Sequence, residues 1–174
     1  MYCTRCENTQ ASLTILARLL YIGSCLDNGH LMEKYSFEFE MKVRDYECDI
    51  QGVVNNANYQ HYMEHARHEF LESLGVSFGE LHEKGIDLMV SKITIEYKRP
   101  LRGGDRFAVR INMVRKGAKL VILQDIYNLA DEKLSTKGEV EVICLKDGRL
   151  TRGELFDEMF SGYFNMSLNK SEIG

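Results

Sequence analysis

Residues 37–75 read FEFEMKVRDYECDIQGVVNNANYQHYMEHARHEFLESLG, and within them the hydrophobic period changes from that of a strand to that of a helix. Phe37, Phe39, Met41 and Val43 alternate with Glu38, Glu40, Lys42 and Arg44, which is the pattern of a half-buried strand. Asn55 and Asn56 then offer helix N-caps, and Tyr59, Tyr62, Met63, Ala66, Phe70, Leu71 and Leu74 recur at three- and four-residue spacing. Gly75 marks the stop. The stretch therefore predicts one strand, a turn-rich connection and one long amphipathic helix.

Downstream, residues 78–84 have helical spacing and then the period of two returns. Ile93, Ile95 and Tyr97 oppose Lys92, Thr94 and Glu96, with Pro100 ending that strand. After Gly103-Gly104-Asp105, the residues Phe107, Val109, Ile111 and Met113 alternate with Arg106, Ala108, Arg110 and Asn112 as far as Lys116-Gly117. Two more strands are predicted over 120–129 and 138–145. The second sets Val140, Val142 and Cys144 against Glu139 and Glu141, before Asp147-Gly148 breaks it. Residues 154–160 suit a short closing helix. A strand, a long helix and four strands joined by short turns define an α+β class, an antiparallel sheet with the helix covering one face.

Composition narrows the rest. The chain has 174 residues, 44% hydrophobic, one proline, 14 glycines and a net charge of −4. That is one globular domain with a modest tail, and its charge argues against a nucleic-acid binder. No uncharged apolar run approaches the roughly 18 residues that span a bilayer. Residues 11–26 are apolar, but Arg18 interrupts them where a secretory signal keeps an unbroken core. Cys3, Cys6, Cys25, Cys48 and Cys144 form no disulfide framework, which fits a reducing cytoplasm. Residues 1–31 are expected to lie outside the fold, as a targeting segment or as sequence ahead of a start at Met32. The domain is expected over 32–162 and a tail over 163–174.

Three acids continue the inward phase of the first strand: Asp45, Glu47 and Asp49. If no bulge intervenes they extend the core-facing row, where like charges raise one another's pKa values and make one a general base near neutral pH. Alternatively the strand frays after Arg44 and the acids form a solvated loop. The first turn of the following helix has free N–H donors and a positive dipole end, suited to a developing oxyanion. Lys98, Arg99 and Arg102 form a cationic turn that either meets phosphates or stays solvated. His61-Tyr62-Met63-Glu64-His65 matches the H-x-x-E-H string of a zinc hydrolase, with His68 a turn further on. Helical spacing turns these histidines away from the core, toward solvent or a subunit contact. Cys3-x-x-Cys6 lacks a second pair at metal-binding spacing. Cys48 points away from the acids by alternation and reads as a small buried hydrophobe.

The string from Val43 to Tyr59, with Glu64-His65-Ala66-Arg67 on the helix, resembles the active-site signature of the hotdog-fold thioesterases of the 4-hydroxybenzoyl-CoA thioesterase type. Through residues 68–75 it is closer still to the plant acyl-ACP thioesterases, and the likeness covers about 35–145. The resemblance implies a hotdog fold and hydrolysis of acyl-CoA or acyl-ACP without metal or organic cofactor. Asp49 would be the catalytic carboxylate, as general base or nucleophile, and the N–H near Asn56 would polarise the thioester carbonyl. Glu64 matches the family's helix glutamate and ranks second to Asp49. Gly52, Val54, Asn55, Tyr59 and Arg102 are expected around the substrate, with Tyr59 equally at home in the core and Gly52 as a simple turn glycine. The resemblance also implies a homodimer, often a homotetramer, with the site between subunits. The contrasting expectations are a non-catalytic acyl-thioester-binding module and the zinc hydrolase.

Overall fold

The computed structural model describes residues 35–164, so the expected extension over 1–31 lies outside the described residues. The first strand, β1 (Phe37–Lys42), keeps the expected alternation: Phe37, Phe39 and Met41 pack on the core while Glu38, Glu40 and Lys42 face water. A 3₁₀ turn (Asp45–Glu47) follows, then the long helix α1 (Asn56–Ser73). Asn55 caps α1, its side-chain oxygen accepting the Ala57 N–H at 3.0 Å. The helix ends in a Schellman turn: Gly75 sits at φ +79°, Gly75 N–H donates to Glu72 O, and Val76 N–H donates to Leu71 O. Glycine is required there because a side chain strains a left-handed backbone.

A short helix α2 (Phe78–Glu83) leads into β2 (Ile86–Tyr97), β3 (Arg106–Lys116), β4 (Lys119–Asn128), β5 (Lys133–Lys146), the two-residue β6 (Arg149–Leu150) and α3 (Glu154–Met159). All pairings are antiparallel, in the order β1-β3-β4-β5-β2, with β6 beside β5. The helix lies on one face and both edge strands reach it. Phe37 of β1 meets Phe70 at 5.3 Å between ring centroids, and Tyr97 of β2 meets Tyr59 at 5.3 Å. At the middle of the sheet the fit is closest at Gly138, where a Cβ would lie 2.6 Å from Met63 Cε and 2.8 Å from Gln124 O. A side chain there would displace the Met63 thioether and crowd the Gln124 carbonyl of the neighbouring strand. Tyr59, Tyr62, Met63, Ala66, Phe70 and Leu71 are the buried helix residues of the expected stripe.

Three features depart from the sequence reading. β2 begins at Ile86, well before Ile93, because a bulge between Val90 and Lys92 shifts the phase so that Leu88 and Ile93 both pack on the core. Arg110, expected on a polar face, is buried: its guanidinium lies 4.5 Å from the Tyr127 ring centroid and bonds Glu38 at 2.5 Å and Glu132 at 2.8 Å. The outer face of the central strands thus carries its own covered layer, which two-fold alternation does not reveal. Finally, Tyr163 and Phe164, assigned to the tail, pack against the core, with the Tyr163 ring 5.7 Å from Phe70.

Candidate functional site

The expected inward row of carboxylates is broken by the 3₁₀ turn. Past Val43, whose N–H still bonds Asp105 O, the chain curls so that Asp45 is exposed, Glu47 is buried and Asp49 is half-buried. The backbone at Arg44 finds its local partner in Glu47, and this turn competes successfully with further strand pairing. The three acids therefore occupy three different environments.

From Glu47 the chain forms a tight hairpin. Cys48 bridges Val54, Asp49 N–H donates to Val53 O, and Asn55 N–H donates to Glu47 O, both at 2.9 Å. Asp49 closes the tip by accepting Gln51 N–H on Oδ1 at 2.8 Å, leaving its second oxygen without a partner among the described residues. Gly52 stands at φ +70° with open space where a Cβ would be, so the requirement for glycine is the left-handed backbone. Leu101 clamps the hairpin to the helix: its carbonyl accepts Val54 N–H and its N–H donates to the Tyr59 hydroxyl, each at 2.9 Å.

The second leg of this hairpin runs into α1, and its amides can be accounted for one by one. Val54 N–H goes to Leu101, Asn55 N–H to Glu47, Ala57 N–H to the Asn55 side chain and Asn58 N–H to Asn55 O. The Asn56 N–H, like the Val53 N–H nearer the tip, has no acceptor among the described residues. It stands at the positive end of an 18-residue helix. Tyr97 on β2 donates to Asn56 O at 3.1 Å and so fixes the plane of the neighbouring peptide. A half-free carboxylate and an unspent amide thus stand on opposite legs of one hairpin, an arrangement able to activate a nucleophile beside a polarised carbonyl.

The other expected residues divide. Arg102 reaches the hairpin, its Nη1 3.5 Å from Gly52 O. Lys98 and Arg99 pair instead with Glu96 and Asp131. Val54 and Tyr59 are buried, with the amide of one and the hydroxyl of the other engaged by Leu101. Glu64 is exposed and lies eight residues beyond Asn56, about 12 Å along the axis. One chain does not bring it to the hairpin. His61, His65 and His68 are exposed as expected, but His65 packs on Phe39 and His68 on Phe78, each at 5.1 Å. Among the described residues no three His, Cys, Asp or Glu side chains are grouped to hold a metal ion.

In the expected row of acids Glu47 is one of three equivalent carboxylates. The structure gives it a distinct role: its carboxylate accepts both Arg44 N–H and the Tyr62 hydroxyl at 2.7 Å. The signal that could have found it is the three-residue step from Arg44 to Glu47, the spacing of a capping box. Beside Glu47 a cleft of about 1090 Å³ opens between β1 and α1, floored by Phe39, Met41, Val43 and Tyr62.

Comparison with known proteins gives this geometry its class. Residues 43–162 match the family model of the Thioesterase-like superfamily, and the chain belongs to that family. Its sheet curled about one helix is the hotdog fold. It is 42% identical over 116 residues to the chloroplastic acyl-acyl carrier protein thioesterase ATL3 of Arabidopsis thaliana, a match covering 65% of this chain and 60% of that protein. The chain thus spans less than two thirds of that relative's length. It is 32% identical over 110 residues to the acyl-CoA thioester hydrolase YbgC of Escherichia coli O157:H7, covering 63% of this chain and 81% of that one. Among solved structures, the probable thioesterase YbaW of Escherichia coli superposes with a TM-score of 0.63 at 25% identity, over 72% of this chain and 96% of that one. No helix among the described residues is long and apolar enough to cross a membrane.

Proposed function

We propose that this protein is a thioester hydrolase that cleaves acyl-CoA or acyl-ACP into a free carboxylic acid and a thiol. The observation that carries the reading is the hairpin itself: the Asn56 amide at the start of its helix and one Asp49 oxygen on the opposite leg, both without a partner among the described residues. The relatives' activities point the same way. In the reaction the thioester carbonyl accepts the Asn56 N–H, whose strength at a helix N-terminus grows as negative charge develops on the oxygen. Asp49 takes a proton from water as the water attacks, or attacks the carbonyl carbon itself to give an anhydride that water then opens. In both routes water supplies the hydroxyl of the acid and the proton of the thiol, so neither route calls on a metal or organic cofactor.

Arg102, held at Gly52 O, is suited to the carrier's phosphates. Assembly as a homodimer, or a pair of dimers, fits the edge strand β2. Met89, Val90 and Tyr97 are half exposed there, and pairing two such edges would continue the sheet. Because Tyr97 also bonds Asn56 O, that contact would border the site. The free thiols of Cys48 and Cys144 fit a reducing compartment such as the cytoplasm.

The test is hydrolysis of acyl-CoA and acyl-ACP panels by the parent and by Asp49→Ala. The expected loss is about 1000-fold in kcat, with melting temperature and oligomeric state unchanged. Parent-rate turnover by the variant contradicts the mechanism. Tight acyl-thioester binding without turnover by the parent identifies a binding module instead.

A further inference from the structure

Glu47 stands where three segments of the chain meet. Its carboxylate, with the residue only 9% exposed, accepts Arg44 N–H from the head of the 3₁₀ turn and the Tyr62 hydroxyl from the second turn of α1, both at 2.7 Å. The Arg44 guanidinium lies 3.8 Å from the other oxygen. Its carbonyl accepts Asn55 N–H at 2.9 Å and the Asn58 side-chain amide at 2.7 Å. Asp49 follows two residues later, and Asn56 is one residue beyond the Asn55 that Glu47 holds. A rotation of Glu47 would move both.

We infer that Glu47 is the positioning residue of this site, its carboxylate fixing the Asp49 leg of the hairpin against the Asn56 amide by joining Arg44 N–H to the Tyr62 hydroxyl, while its backbone carbonyl holds Asn55 and Asn58. The inference rests on the thioesterase reading and adds to it the residue that sets the distance between base and donor. Packing alone gives no reason for an acid here. Burying a carboxylate is costly unless its oxygens are satisfied, and an apolar side chain of similar size is often as stable. What the acid adds is direction, since its acceptors fix two elements at defined angles. Tyr62 is kept a donor throughout: burial, reinforced by its bond to Glu47, pushes its hydroxyl far above the usual tyrosine range. Glu47 acts through its neighbours, because one oxygen is already shared by two donors and faces the turn and the helix rather than the tip of the hairpin.

The experiment compares the full-length parent with Glu47→Ala, Glu47→Gln and Tyr62→Phe on the acyl-CoA that the parent hydrolyses fastest. A parent that hydrolyses no acyl thioester refutes the functional reading itself, before any variant is considered. With an active parent, Glu47→Ala is expected to lower kcat about 30-fold with KM changed less than about 3-fold, as misplacement of catalytic groups does. Glu47→Gln keeps a carbonyl acceptor for Tyr62 and Arg44, and is expected within about 5-fold of the parent, with the acid limb of its pH–rate profile unmoved. Tyr62→Phe is expected about 5-fold down in kcat at the parent KM. Parent kcat in Glu47→Ala overturns the inference. So does a Glu47→Gln variant as impaired as Glu47→Ala with a displaced acid limb, because Glu47 would then be the titrating base. Should Glu47→Ala not fold, Tyr62→Phe decides: a lower kcat at unchanged KM supports positioning, and parent kcat overturns it.

Discussion

Along β3 and β4, ten successive residue pairs repeat a single ladder pattern, from Phe107 opposite Asn128 to Lys116 opposite Lys119. Between Val43 and Asn58 the bonds are of mixed kinds: backbone meets backbone at Asp49 and Val53, backbone meets carboxylate at Arg44 and Glu47, and a side-chain amide meets a carbonyl at Asn58 and Glu47. The ladder is redundant, so one altered residue weakens it without changing its shape. The hairpin has no redundancy, so one altered bond changes the geometry while hardly touching the core. Damage to the first region is therefore expected as lost stability, and damage to the second as lost turnover.

The largest stability effect should come from the centre of the ladder. Ile122, fully buried on β4, is expected to cost about 3 kcal/mol when truncated to alanine. Urea unfolding would show a lower midpoint at unchanged slope, and activity per folded molecule should equal the parent's. A kcat change beyond the folded fraction would break the division between the two regions. Gly138→Ala should come next, at about 2 kcal/mol, because its methyl meets Met63 and the Gln124 carbonyl at less than van der Waals distance. Thermal unfolding of this variant measures that cost, and a neutral result would mean that the helix lies looser on the sheet. Smallest in stability is Asn55→Ala, about 1 kcal/mol for a lost N-cap, yet its kcat should fall about 10-fold as the first helical turn loosens. Equal proportional losses in stability and turnover would erase the contrast.

The same division governs what the sequence makes legible. Period two over 107–113 and the helical stripe from Tyr59 to Leu74 mark repeated elements, whose side-chain pattern mirrors their geometry. The Asn55 cap and the Gly75 stop are legible because each is a local bond between near neighbours. The start of β2 is not, since the bulge between Val90 and Lys92 cancels the alternation that would announce it. Nor is the burial of Arg110, which depends on a tyrosine from another strand. Within the site, the Asp49 and Asn56 positions are marked by the motif string and by helix chemistry. The turn that breaks the carboxylate row and gives Glu47 to Tyr62 is set by a contact across fifteen residues, beyond the reach of periodicity.

If the Asn56 N–H holds the reacting carbonyl, that donor can be removed without disturbing the helix. Asn56 is the first helical residue, where proline is tolerated, and Asn55 has ψ 138°, the extended conformation that a following proline favours. Asn56→Pro deletes the donor and Asn56→Ala keeps it. Measured side by side on one acyl-CoA, Asn56→Ala should stay within about 3-fold of the parent kcat while Asn56→Pro falls roughly 100-fold or more, with both melting near the parent temperature. Hydrolysis by Asn56→Pro at the parent rate would contradict the account.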